Sequence, residues 1–122
     1  MNSRRLEMAL KQFEVWIADL NPQIGTEAGK TRPVLIVQTD LLNAISHPST
    51  IICPITTQLQ TDAMILRVHL PEGTAGLSQP CDVMVDQVRA IDNKRLIKRV
   101  GRIPEEHAQT VRMNLAIVLD LE

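Results

Sequence analysis

The stretch Gly25-Thr26-Glu27-Ala28-Gly29-Lys30-Thr31-Arg32-Pro33-Val34-Leu35-Ile36-Val37 decides which kind of fold this chain builds. Its first half is polar and carries two glycines; its second half is an unbroken aliphatic run. The triplet Gly29-Lys30-Thr31 has the look of a phosphate-binding P-loop, which would require a helix directly after it and an α/β architecture. The spacing rejects that reading, because a P-loop needs four residues between its glycines and only three separate Gly25 from Gly29. The next residues are also wrong for a P-loop. Arg32-Pro33 leads into Val34 to Val37, which is strand-sized and reads as buried on both faces. Pro33 can begin that strand, since a first position tolerates the missing N–H. The segment from Asn21-Pro22 to Thr31 is therefore expected to be an exposed, mobile loop. Taken alone it is a charged turn bearing Glu27, Lys30 and Arg32.

More strand-like segments lie on either side. Phe13 to Ile17 alternates and then turns apolar, as a first strand would. Leu41 to Ile45 suggests one helical turn before His47-Pro48. Ile51 to Ile55 is a third strand, in which Pro54 argues for an edge or a bulge. Ile65 to Leu70 sets Arg67 and His69 opposite Leu66, Val68 and Leu70, a half-exposed fourth strand. Pro71 to Pro80 is loop. Cys81 to Ile91 is a fifth strand, bent near Asp86-Gln87, and Val100 to Ile103 a short sixth. Pro104-Glu105-Glu106 then opens a helix, with carboxylates at the positive end of its dipole. Val111, Leu115 and Val118 form its apolar face. Many short strands closed by one terminal helix predict a mainly β fold of the α+β kind, a small, strongly bent, barrel-like sheet. Residues 1–11 show only weak helical spacing, at Leu6, Ala9 and Leu10, and are expected to be a peripheral appendage.

Composition narrows the function. A chain of 122 residues with 44% hydrophobic and 22% charged residues fits a single folded domain. No apolar stretch reaches the roughly 20 residues that a bilayer span needs. The N-terminus lacks the apolar core of a secretory signal, so a cytoplasmic location without membrane contact is expected. Cys53 and Cys81 lack CxxC spacing and a nearby histidine pair, which points away from zinc or dithiol chemistry and toward buried free thiols. With one Phe, one Trp and no Tyr, an aromatic platform for stacking successive bases is excluded. The net charge of −1 hides a basic run, Arg89, Lys94, Arg95, Lys98, Arg99 and Arg102 against Asp92 alone. That run suits phosphates, an acidic partner segment or plain solvation equally well.

Three motifs in order, GTEAGKTRPVLIVQ, ICPITTQ and DQVRAIDNKRL, resemble the MazF/PemK family of toxin endoribonucleases, and the likeness runs from about Phe13 to the C-terminal helix. It divides the chain into an N-terminal extension, residues 1–12, and a toxin domain, residues 13–122. The resemblance implies an SH3-like barrel of short antiparallel strands with a C-terminal helix, and a homodimer. It also implies sequence-specific cleavage of single-stranded RNA without metal or other cofactor, and a cognate antitoxin protein that blocks the RNA groove.

By that resemblance Arg32 matches the family's essential arginine and Thr56 its essential hydroxyl residue. Both suit attack of a ribose 2′-OH on the adjacent phosphate, which yields a 2′,3′-cyclic phosphate and a 5′-OH. Charge builds on the nonbridging oxygens; a guanidinium can grip two of them while a hydroxyl donates to one. Arginine is too weak an acid to act readily as general base, which leaves Glu27 as the expected base, or else an ion-pair partner for Arg32 or Lys30. Lys30, Thr31, Thr57, Gln58 and Gln87 complete the expected RNA-binding set. Gln58 shares the Thr56 face of its strand, where its amide can read a base edge, and Thr57 points the other way. Asp86 either lines the groove beside Gln87 or caps a turn. None of His47, His69 and His107 is placed by a motif; for a catalytic histidine, His69 ranks first of the three because its strand face is exposed, and His107 should be solvated. Two alternatives stand against the enzyme. One is a noncatalytic barrel toxin like the CcdB gyrase poisons, which act through a terminal Trp-Gly-Ile that this chain, ending Leu119-Asp120-Leu121-Glu122, lacks. The other is an inactive member that only binds RNA or antitoxin.

Overall fold

Residues 9–121 are described by the structure, a computed structural model. Seven strands and two helices run in the order β1 (Glu14–Asp19), β2 (Thr31–Ile36), α1 (Asp40–Asn43), β3 (Ser49–Thr56), β4 (Arg67–Leu70), β5 (Cys81–Met84), β6 (Arg89–Asp92), β7 (Leu96–Arg102) and α2 (Glu105–Val118). All pairings are antiparallel, in the order β4-β5-β3-β2-β1-β7, with β6 beside β3. The expected mainly β, barrel-like sheet with its C-terminal helix is present. The end strands β4 and β7 do not pair, so the barrel stays open.

The continuous apolar runs are explained by two cores, one on each face of the sheet. Val15, Leu35, Cys53, Ile55 and Val83 pack in the first, together with Ala108 and Val111 of α2. Their alternates Trp16, Ala18, Val34, Ile36, Ile52 and Met84 pack in the second. A strand with core on both sides must be apolar at every position, which is what Val34-Leu35-Ile36 shows. Each fully buried aliphatic side chain contributes about 2 kcal/mol against the entropy of ordering it.

Pro54 is not at an edge. It faces Val34 in the middle of the sheet. On its other side β3 changes partners: β6 takes Ser49 to Ile52, β5 takes Ile55 and Thr56, and neither takes Cys53 or Pro54. A residue without an N–H thus stands where the ladder is interrupted anyway. The expected bend at Asp86-Gln87 is a 3-10 turn, Val85–Gln87, that splits the fifth strand into β5 and β6 and makes seven strands rather than six. β2 begins at Thr31, two residues before Pro33. β7 begins at Leu96, well before Val100, because Leu96, Lys98 and Arg99 pair with β1; the two basic residues lie along the exposed edge, where charge discourages further pairing. Arg99 of that edge meets buried Glu14 at 2.6 Å and ties β7 to β1.

Pro104 stands at the N-cap of α2, just ahead of Glu105 and Glu106, and Val111, Leu115 and Val118 face the first core. Arg112 lies over the Phe13 ring, 4.6 Å from its centroid. Ala9 and Leu10 lie outside any helix, and Leu6 of that expected spacing lies outside the described residues. Leu10 is buried in the second core. Among the described residues, no helix is long and apolar enough to cross a membrane.

Both cysteines are buried free thiols, as composition suggested. Burial, helped by the negative charge of Asp86, pushes the Cys53 thiol up to about 12. At pH 8 its thiolate fraction is then of order 10⁻⁴. Iodoacetamide is expected to leave Cys53 unmodified in the native protein and to label it once denaturant is added, as read by mass spectrometry. Rapid labelling of the native chain would contradict this burial.

Candidate active site

Where β2 leaves its loop and β3 ends, an open cleft of about 500 Å³ is bounded by β2, β3, β4, β5 and the turn after β5. Arg32 enters from the second position of β2 and Thr56 from the last position of β3. The two strands are paired as far as Val34 and Pro54; continued two residues farther, that register sets Arg32 opposite Thr56. The aliphatic centre of β2 is therefore what aims the polar loop residues at the end of β3.

The Arg32 Nε donates to the Gly29 carbonyl at 2.8 Å, which fixes the side chain and leaves its two terminal amino groups for an anion. Partial burial disfavours the charged form and lowers its pKa from the ordinary guanidinium value. The Thr56 Oγ1 accepts from the Gln58 N–H at 3.1 Å. Its own proton stays available to a phosphate oxygen.

The loop is tied down rather than free, despite its exposed surface. The Leu20 N–H donates to the Lys30 carbonyl at 2.9 Å, and the Lys30 N–H donates to Asn21 Oδ1 at 2.9 Å. Gln87 reaches across from the turn after β5: its Oε1 accepts from the Ala28 N–H at 3.3 Å and its Nε2 donates to the Thr26 carbonyl at 3.2 Å. Gly29 is required by space. A Cβ there would lie 2.5 Å from the Cβ of Gln23.

Glu27, Lys30, Thr31, Arg32, Thr56, Thr57, Gln58 and Gln87 all line this one cleft. Glu27 is exposed and pairs with neither Arg32 nor Lys30 among the described residues. Thr57 does not point away from Thr56 as strand alternation requires, because β3 stops at Thr56 and the chain bends there. Both ends of the Gln87 amide hold the loop, so only its remaining lone pair and N–H can meet a ligand. Asp86 neither lines the cleft nor caps the turn. The basic run stands elsewhere: Arg95 donates to the Asp19 and Asn21 carbonyls, Arg102 to the Gln12 carbonyl, and none of the six residues lines the cleft.

Among the histidines, His47 Nδ1 lies 2.8 Å from the Ser49 carbonyl, and His107 is part-buried rather than solvated. His69 Nδ1 lies 3.3 Å from Asp82 Oδ1. One lining cation, Arg67, escaped the sequence reading. Its alternating position in β4 marked a polar face, but nothing local showed that this face looks into the cleft.

The family model for the "PemK-like, MazF-like toxin of type II toxin-antitoxin system" matches residues 11–119. The chain belongs to this family. Similar to it are Endoribonuclease EndoA of Bacillus subtilis, 33% identical with 93% of this chain and 97% of that one covered, and Endoribonuclease MazF6 of Mycobacterium tuberculosis, 34% identical with 93% and 100% covered. Among solved structures, MazF from Deinococcus radiodurans superposes with a TM-score of 0.79 at 24% identity, covering 93% of this chain and 98% of that one. A mycobacterial endoribonuclease in complex with its cognate antitoxin gives 0.72 at 18% identity, covering 94% and 97%. At such identities these two show the fold alone. The open barrel is thus the MazF-like fold, and the three motifs that suggested it fall within the matched residues.

Proposed function

We propose that the chain is a toxin endoribonuclease that cuts single-stranded RNA in the cleft between β2 and β3, and that a cognate antitoxin protein inhibits it. One observation carries this reading: among the described residues, an arginine with two unspent amino groups and a threonine with an unspent hydroxyl proton meet at one open cleft, from the neighbouring strands β2 and β3. Those are donors to place around a phosphate that gains charge as a 2′-OH attacks it. Arg32 grips two nonbridging oxygens and Thr56 donates to one. Glu27, exposed and without an ion-pair partner among the described residues, takes the 2′-OH proton. Lys30 holds backbone phosphate, Thr31, Thr57 and Gln58 contact the RNA, and Gln87 chiefly sets the loop. The products are a 2′,3′-cyclic phosphate and a 5′-OH, formed without a metal or other cofactor.

Residues 13–122 form the toxin domain and residues 1–12 an extension, whose last residues lie against the domain through Leu10 and Gln12. The exposed Met113 and Ile117 in the second half of α2, with Leu119 and Leu121 just past it, support a homodimer, for which light scattering is the measurement. On this reading the protein meets an mRNA substrate in the cytoplasm.

Purified protein incubated with mixed-sequence RNA in EDTA is expected to leave fragments with 5′-OH ends, and Thr56→Ala to cut at least tenfold more slowly, about the worth of one hydrogen bond to a charged group. Intact RNA in EDTA, or undiminished cleavage by the variant, would remove the basis for this assignment.

A further inference from the structure

We propose that Arg67 is a second phosphate-binding residue, gripping an RNA phosphate next to the scissile one, and that buried Asp82 is the positioning residue that aims it. This rests on the RNA-cleavage reading above. The Arg67 Nη1 donates to the Gln58 carbonyl at 3.0 Å and to Asp82 Oδ2 at 3.3 Å, which uses both of its protons. Among the described residues, neither Nε nor Nη2 has a partner, and these two form the side-on edge of the guanidinium that matches two phosphate oxygens. An arginine needed only to neutralise Asp82 would turn that edge on the carboxylate. Here a single Nη1 contact meets Asp82 and the fork is left over. The side chain is only 14% exposed, yet it lines the cleft, so the fork is held rather than waving in solvent.

Asp82 is itself immobile. Its side chain is 3% exposed, and it also accepts from the Gln60 N–H at 2.9 Å and meets His69 Nδ1 at 3.3 Å. Strand register places the group beside the reacting atoms: Thr56 pairs with Asp82, Asp82 with His69, and Arg67 with Met84, another residue of the cleft wall. Arg32 and Arg67 therefore stand on opposite sides of Thr56, on β2 and β4. An RNA backbone lying across Thr56 meets a guanidinium on each side. Because Asp82 offsets much of the Arg67 charge, the site selects a phosphate by position rather than by long-range attraction.

The test uses a short RNA containing one cut site, mapped beforehand from the 5′-OH ends of cut transcripts, and two further copies in which the phosphate on either side of the scissile one is a neutral methylphosphonate. Wild-type kcat/KM is expected to fall about tenfold on one of the two modified RNAs, the worth of a charge-assisted contact. Arg67→Ala should lose about as much on the unmodified RNA and nothing more on that modified one. Asp82→Asn, which keeps the shape but loosens the aim, should likewise be impaired on the unmodified RNA alone. If Arg67→Ala unfolds because Asp82 is left without its cation, Arg67→Lys decides: it keeps a charge beside Asp82, has no fork, and should match the expected Arg67→Ala pattern. Losses from variant and modification that multiply at both positions, or full activity in Arg67→Lys, overturn the proposal while leaving RNA cleavage intact. A wild-type protein that cuts no RNA overturns the underlying assignment, and this proposal with it.

Discussion

Arg32→Ala is expected to slow RNA cleavage by about 100- to 1,000-fold, the loss seen when one preorganised donor is removed from developing anionic charge. The residue is half-exposed at the mouth of the cleft and, among the described residues, spends only its Nε on the protein, in one bond to the Gly29 carbonyl. Its removal empties no core. The thermal midpoint should therefore move little, and circular dichroism melting run beside the cleavage assay separates lost chemistry from lost structure. Arg32→Lys should recover only a small part of the rate, since an ammonium keeps the charge but lacks the planar fork that meets two phosphate oxygens in parallel while Nε holds the Gly29 carbonyl. Equal rates for wild type and Arg32→Ala would show that the charge is stabilised elsewhere.

Gly29→Ala is expected to cost about 100-fold in activity, although the added methyl never touches the RNA. Its Cβ would sit 2.5 Å from that of Gln23 and 3.1 Å from the Gln23 Cα, so backbone has to move. The Gly29 carbonyl moves with it, and that carbonyl holds Arg32. A misplacement of about 1 Å in a positioning group is enough for such a loss. Gly25→Ala is the control. There nothing lies within 4 Å of the new Cβ, and the burden is only the left-handed φ of +56°. It should lower stability by about 1 kcal/mol and leave the cleavage rate within a few-fold of wild type. If Gly25→Ala were the more damaging to cleavage, crowding at Gln23 would not be what fixes the loop.

The loop and its strand were legible because rejecting the P-loop needed only a count of residues between glycines, and Val34-Leu35-Ile36 could be buried only in a sheet with core on both sides. Of the two expectations for Pro54, an edge or a bulge, the edge failed because propensity describes one strand at a time, and the exchange of β6 for β5 beside it is a property of three strands together. The start of β7 was hidden by its lysine and arginines, which belong to an edge and so carry no alternation. Thr56 and Arg32 came from resemblance, and their meeting depends on a register that no local pattern displays. Arg67 shows the limit most plainly. A polar face in β4 looks the same whether it meets water or a cleft, and the difference is made by Asp82, whose position in an apolar strand marked nothing until Thr56 and His69 were found on either side of it.

The two hydrogen bonds from Gln87 to Ala28 and Thr26 join residues 59 and 61 positions apart. During synthesis the loop bearing Glu27 and Lys30 emerges long before the residue that fastens it. β5, which flanks Thr56 and carries Asp82, also arrives late. A nascent chain therefore lacks both the fastened loop and the β5 wall of the cleft until Gln87 has emerged. On the RNA-cleavage reading, the turn bearing Gln87 and the strand β5 that complete the cleft are thus the last of its parts to emerge.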